Sequence, residues 1–86
     1  MIMNKKRELI WTYLSMKKGV YDNDYYFYDD GTILHHYDQT MSKLDLEEYI
    51  YPADISDFQK EKIIETCKEE CTNEIIEQIK KILHVY

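Results

Sequence analysis

The chain reads as an α+β domain. A small antiparallel sheet of three to four strands, built round a central hairpin at residues 25–37, packs against a long C-terminal helix or a broken helix pair. Three observations predict this. An Asp-Gly pair, Asp30–Gly31, interrupts the aromatic and β-branched stretch "YYFYDDGTILHHY". The C-terminal third carries apolar side chains at steps of three or four. The chain has 86 residues, 44% of them hydrophobic, with two glycines and one proline, so it suits one folded domain, residues 1–86, with one small core.

The first segment, "ELIWTYLSM", is open to two readings. Asn4 suits a helix cap, and Lys17, Lys18 and Gly19 suit a helix end. Against a helix, Lys5, Lys6 and Arg7 would stand at the wrong end of the dipole. Trp11, Thr12 and Tyr13 favour a strand, which is the preferred reading. This strand turns through "KKGVYDND" and pairs with the hairpin.

Asp30–Gly31 is a preferred pair for a two-residue type I′ turn, in which both positions need positive φ. That turn sets Tyr28 opposite Ile33, Phe27 opposite Leu34, Tyr26 opposite His35 and Tyr25 opposite His36. Phe27, Leu34, Tyr25 and His36 then share one face. Tyr26, Tyr28, Ile33, His35 and Tyr37 share the other. Phe27 and Leu34 carry no polar atom, so their face is expected to turn inward. Further on, "KLDLEEYIY" (Lys43 to Tyr51) adds a short extended edge.

Pro52 closes that edge, and Ser56 with Gln59 makes a capping-box arrangement. Asp57 sits in the first turn, where its charge suits the dipole. Ile64, Cys67, Cys71, Ile75, Ile79 and Ile82 form one stripe. The run is one long helix, or two nearly collinear ones broken near Thr72–Asn73, whose side chains compete for backbone partners.

The net charge of -6 is unevenly placed. Residues 1–20 carry five basic side chains against Glu8. Residues 21–58 carry ten acids against Lys43 alone, together with seven of the nine tyrosines. Residues 59–86 are nearly balanced. A field of that sign repels phosphate backbones, so direct nucleic-acid binding is not expected. Lysine outnumbers arginine ten to one, the usage of an AT-rich genome of the bacterial or phage kind. No apolar run is long enough to cross a membrane and no signal peptide is apparent, so a cytoplasmic protein is expected.

Catalytic signals are weak. Ser15, Ser42 and Ser56 lie in no glycine-rich elbow. Glu47–Glu48 and Asp29–Asp30 are acids of a kind that keeps an ordinary pKa when exposed. Gly19 and Gly31 make no phosphate loop. Cys67 and Cys71 stand one helical step apart and would need His35, His36 or His84 to complete a zinc site. Both lie on the apolar stripe, where core packing is the simpler role. No metal or cofactor is expected, and no disulfide in a cytoplasmic chain. His35 and His36 point to opposite faces and cannot act as a pair.

Tyrosine supplies contact area at low entropic cost and is enriched at interfaces. It serves equally to fill a thin core with its hydroxyl at the rim. The expectation is a non-enzymatic acidic protein-binding module. Its outward face would carry Tyr26, Tyr28, His35 and Tyr37, ringed by Asp24, Asp30 and Asp38. Its partner would have a basic surface, such as a nucleic-acid-binding groove blocked by a phage or mobile-element inhibitor or an immunity-type protein. A structural homo-oligomer, such as a homodimer pairing the same face, is the first alternative. A small zinc-stabilised domain is the second.

Overall fold

Four strands form one antiparallel sheet in chain order: β1 (Leu9–Tyr13), β2 (Asn23–Tyr28), β3 (Ile33–Tyr37) and β4 (Leu46–Ile50). A 3₁₀ turn, Pro52–Asp54, leads into two helices, α1 (Asp57–Glu70) and α2 (Asn73–Leu83). The computed structural model describes residues 7–14, 23–37 and 46–85. The turn expected through Lys17–Gly19 and the acid Asp38 lie outside the described residues.

The first segment is a strand, as its aromatic and β-branched residues favour. It joins β2 with one irregularity. Leu9 pairs with Tyr28 and Trp11 with Phe27, so Ile10 is the extra residue of a β-bulge. The bulge lets Ile10 and Trp11 both pack against the core. Trp11 stacks on Phe27, with ring centroids 5.9 Å apart.

The hairpin forms at Asp30–Gly31, but its register differs from the two-residue turn by one residue. Phe27 pairs with Ile33, Tyr26 with Leu34, Tyr25 with His35 and Asp24 with His36. The loop has three residues, Asp29 to Gly31. It is closed by Tyr28 N–H to the Thr32 carbonyl at 3.0 Å and by Gly31 N–H to the Tyr28 carbonyl at 3.0 Å. Gly31 alone takes positive φ, at 88°; Asp30 does not. An L-residue in the left-handed region costs about 1–2 kcal/mol, and the longer loop places only glycine there. The Asp30 carboxylate reinforces this by accepting from Thr32 N–H at 2.9 Å.

A slip of one residue moves a whole strand's side chains to the other face. The β2 side chains lie as expected, with Tyr25 and Phe27 inward. The β3 assignment is inverted: Ile33, His35 and Tyr37 share the face of Phe27, and Leu34 and His36 share the face of Tyr26 and Tyr28. The expected edge is present as β4, with Ile50 beside Ile33, Tyr49 beside Leu34 and Glu48 beside His35.

The C-terminal region is a helix pair. Ser56 caps α1 by accepting from Gln59 N–H at 3.1 Å, and Asp57 opens the helix. Cys71 and Thr72 are both extended, and the Thr72 hydroxyl accepts from Ile75 N–H at 3.3 Å. Two extended residues reset the helical phase, so one stripe does not run through both helices. The buried residues are Ile63, Ile64 and Cys67 on α1, then Ile76, Ile79 and Leu83 on α2. Cys71, Ile75 and Ile82 are only partly buried. The two helices are not collinear. The far end of α2 returns to α1, and His84 and Val85 line a cleft with Asp57, Ile64 and Lys68.

These helix residues, Ile55 and the strand residues Tyr25, Phe27 and Ile33 make one core. The α2 terminus is closed by His84 in the left-handed conformation, φ 59°, with Val85 N–H bonded to the Lys80 carbonyl at 2.9 Å.

Two kinds of substitution test this account in urea denaturation. Phe27→Ala should destabilise the domain by about 3–5 kcal/mol through lost burial and a cavity. Gly31→Ala should destabilise it by about 1 kcal/mol, because it puts a side chain on a left-handed position. A Cβ on Gly31 meets nothing within 4 Å, so steric crowding would not explain a loss there. If Gly31→Ala were neutral, the turn assignment would fail.

Candidate functional site

The helices cover one face of the sheet. The core takes Tyr25, Phe27 and Ile33 from the strands and leaves out Leu34. The other face, on which no described element packs, presents Thr12 from β1, Tyr26 and Tyr28 from β2, Leu34 and His36 from β3 and Tyr49 and Glu47 from β4. Leu9, the partner of Tyr28, joins them, and alternation beyond Tyr13 brings in Leu14. Leu9, Leu14 and Tyr49 are 51%, 53% and 60% exposed. Leu34, between Tyr26 and Tyr49, is buried.

Arg7, just before β1, crosses this face. Its guanidinium carbon lies 4.3 Å from the Tyr28 ring centroid and 4.9 Å from that of Tyr49. Its Nη2 donates to the Tyr49 hydroxyl at 2.5 Å. That hydrogen bond, then the charges of Tyr49, Tyr28 and Asp30, raise the Arg7 pKa against a smaller effect of desolvation. The backbone beside Arg7 is fixed by Asp29: Asp29 N–H donates to the Glu8 carbonyl at 2.9 Å, and Glu8 N–H donates to Asp29 Oδ1 at 3.0 Å. Asp30 is held below its ordinary value chiefly by its bonds from Thr32, with Arg7 adding a smaller pull.

The expected site residues are divided by the register. Tyr26, Tyr28 and Asp24 lie on the open face, where Asp24 pairs with His36; the His36 Nδ1 to Asp24 Oδ2 distance is 3.9 Å. Asp30 is exposed in the hairpin loop. His35 and Tyr37 lie on the opposite face, at its edge. There His35 is stacked between Tyr25 and Tyr37, each with centroids 4.7 Å away. Its Nε2 meets Asn23 Oδ1, its Nδ1 is 3.9 Å from Glu48, and the Tyr37 hydroxyl donates to Glu48 at 3.4 Å. Burial raises the pKa of Tyr25, and of Tyr37 beside Glu48.

Cys67 is buried in the core and its thiol is pushed up to about 12, mainly by burial. Among the described residues no group of three His, Cys, Asp or Glu side chains is placed to hold a metal ion. No helix among them is long and apolar enough to cross a membrane. The cleft beside the helices is lined by charged side chains, among them Asp57, Lys60, Glu61 and Lys68, together with Ile64, His84 and Val85. No family model matches the chain, and no curated protein or solved structure matches it significantly.

Arg7, Leu9, Leu14 and Tyr49 are open-face residues with no place in the expected site, and Leu34 and His36, expected on the inward face, lie there too. For Arg7 a signal exists. It is the only arginine in a chain that otherwise uses lysine, and it stands where a planar guanidinium stacks on rings.

The His35 stack predicts a pH dependence. Burial holds His35 below its ordinary 6.5, against the opposing charge of Glu48. The folded protein thus takes up this proton less readily than the unfolded chain. The stabilisation is complete above the unfolded value and is lost as pH falls through it toward the folded value. Melting temperature should therefore drop between pH 7.5 and pH 5 more steeply in the native protein than in His35→Gln. Parallel slopes would show that His35 contributes nothing to that drop.

Proposed function

We propose that this chain is a non-enzymatic protein-binding module. The open sheet face is its docking surface, and its partner is a protein with a basic surface. The observation that carries the reading is a face with exposed Leu9, Leu14 and Tyr49 and partly exposed Tyr26 and Tyr28 around a buried Leu34, on which no described element packs. Contiguous exposed apolar and aromatic patches of this kind mark interaction sites. Acids lie on and beside it, with Asp24 and Glu47 on the face and Asp29 and Asp30 in the hairpin loop. Opposite charge on a partner speeds association and makes it salt-sensitive. A groove that ordinarily holds nucleic acid has the required sign, and blocking such a groove in the cytoplasm is the role we favour.

Pull-down from a bacterial lysate at low and high salt tests the proposal, using native protein and Tyr28→Ala. A basic partner should be retained at low salt and released by salt. Tyr28→Ala should weaken its binding by about 1–3 kcal/mol while the fold is kept, as truncation of an interface tyrosine does. Retention indifferent to both salt and Tyr28→Ala would remove the reading. Homodimerisation through the same face is the second reading, favoured by the exposed Leu9 and Leu14 flanking the edge strand β1. A Tyr28-dependent dimer in sedimentation would assign the face to a second copy.

A further inference from the structure

The open face also holds a specific arrangement of two rings and a cation, and it defines a chemistry for the partner. Tyr28 on β2 and Tyr49 on β4 are separated by β3, yet both rings reach one guanidinium. The Tyr49 hydroxyl supplies an acceptor to that group, and Asp30 lines one cleft with Tyr49. Two ring faces, a phenolic acceptor and a nearby carboxylate are the elements of a cation cage. We propose that Tyr28 and Tyr49 form a recognition site for an arginine side chain of a partner protein, and that Arg7 is its resident, displaceable occupant.

Three features support displacement. Arg7 is fully exposed, so its stack competes with water and is weak. The backbone at Glu8 is held by Asp29, so only the Arg7 side chain has to swing away for the rings to be vacated. An arginine arriving on a docked partner is desolvated by the interface, which strengthens the same contact. The site favours arginine over lysine because a planar guanidinium can stack on rings while its edge donates to the hydroxyl, whereas an ammonium lacks the plane. The acidic surroundings favour a basic segment over an isolated side chain. This inference rests on the docking role of the open face and adds the identity of the group that docks.

The test needs no natural partner. A hexa-arginine peptide is titrated into the full chain and into Arg7→Ala, and the ring signals of Tyr28 and Tyr49 are followed by NMR. Hexa-lysine is the control for charge alone. Arg7→Ala should bind hexa-arginine about five-fold more tightly than the native chain, with both rings shifting, because the resident cation no longer competes. Hexa-lysine should bind more weakly to the variant than hexa-arginine does. Adding Tyr49→Ala should abolish the difference between the peptides, with circular dichroism confirming the fold. Equal binding of both peptides, or saturation that leaves the two rings unshifted, would overturn the cage. Ring-specific arginine binding would establish the cage even if pull-down returned no partner, so the two proposals fail separately.

Discussion

The pairing of Phe27 with Ile33 is the constraint on which the rest of this structure depends. It follows from one backbone requirement, that the left-handed position of the hairpin loop be filled by Gly31 and no other residue. Once that pair is set, alternation puts Tyr25, Phe27 and Ile33 beneath the helices. The same alternation puts Tyr26, Tyr28 and Leu34 on the opposite side. The bulge at Ile10 then brings Trp11 over Phe27 and sends Leu9 to the other face. Shifting the register by one residue would exchange Ile33 for Leu34 in the core. It would also set His35 among the open tyrosines.

How far the residues disclose this outcome depends on which interactions are local. The hairpin, the β4 edge, the Ser56 cap and the interruption at Thr72 are each specified within a few residues, and each appears in the structure. The register is not local in the same sense. Asp30–Gly31 serves a two-residue loop with two left-handed residues or a three-residue loop with one, and the choice turns on a small strain at Asp30. The helical stripe had the same weakness. Cys71 and Thr72 leave the helix, and the phase of Ile76, Ile79 and Leu83 is set by packing rather than by continuation from Cys67. The site was half legible for one reason: Tyr26 and Tyr28 depend only on β2, whereas His35 and Tyr37 depend on the register. Arg7 was hidden because its contacts join residues twenty-one and forty-two positions away, on β2 and β4.

The two faces use aromatic rings in different ways. On the covered side, Tyr25, His35 and Tyr37 stack on one another at the border of the helix layer, and burial disfavours charge on the histidine. On the open side the rings of Tyr28 and Tyr49 hold a cation in full contact with water. A sheet that is packed by helices on one side and aromatic on both gains specificity from this division. One set of rings fixes the domain's interior, and the other is left with faces to offer.

The core also contains a built-in chemical clock. Cys67 is sealed from solvent between the sheet and the helix pair, and its thiol stays protonated far above neutral pH. The thiolate is the reactive form, so an alkylating reagent has no target there while the helices remain in place. Cys71, one turn further on and only partly buried, lies nearer the reagent. The lag between labelling of the two sulfurs would record how often the helix layer lifts from the sheet. The chain thus carries its own measure of breathing motions, with no foreign probe attached.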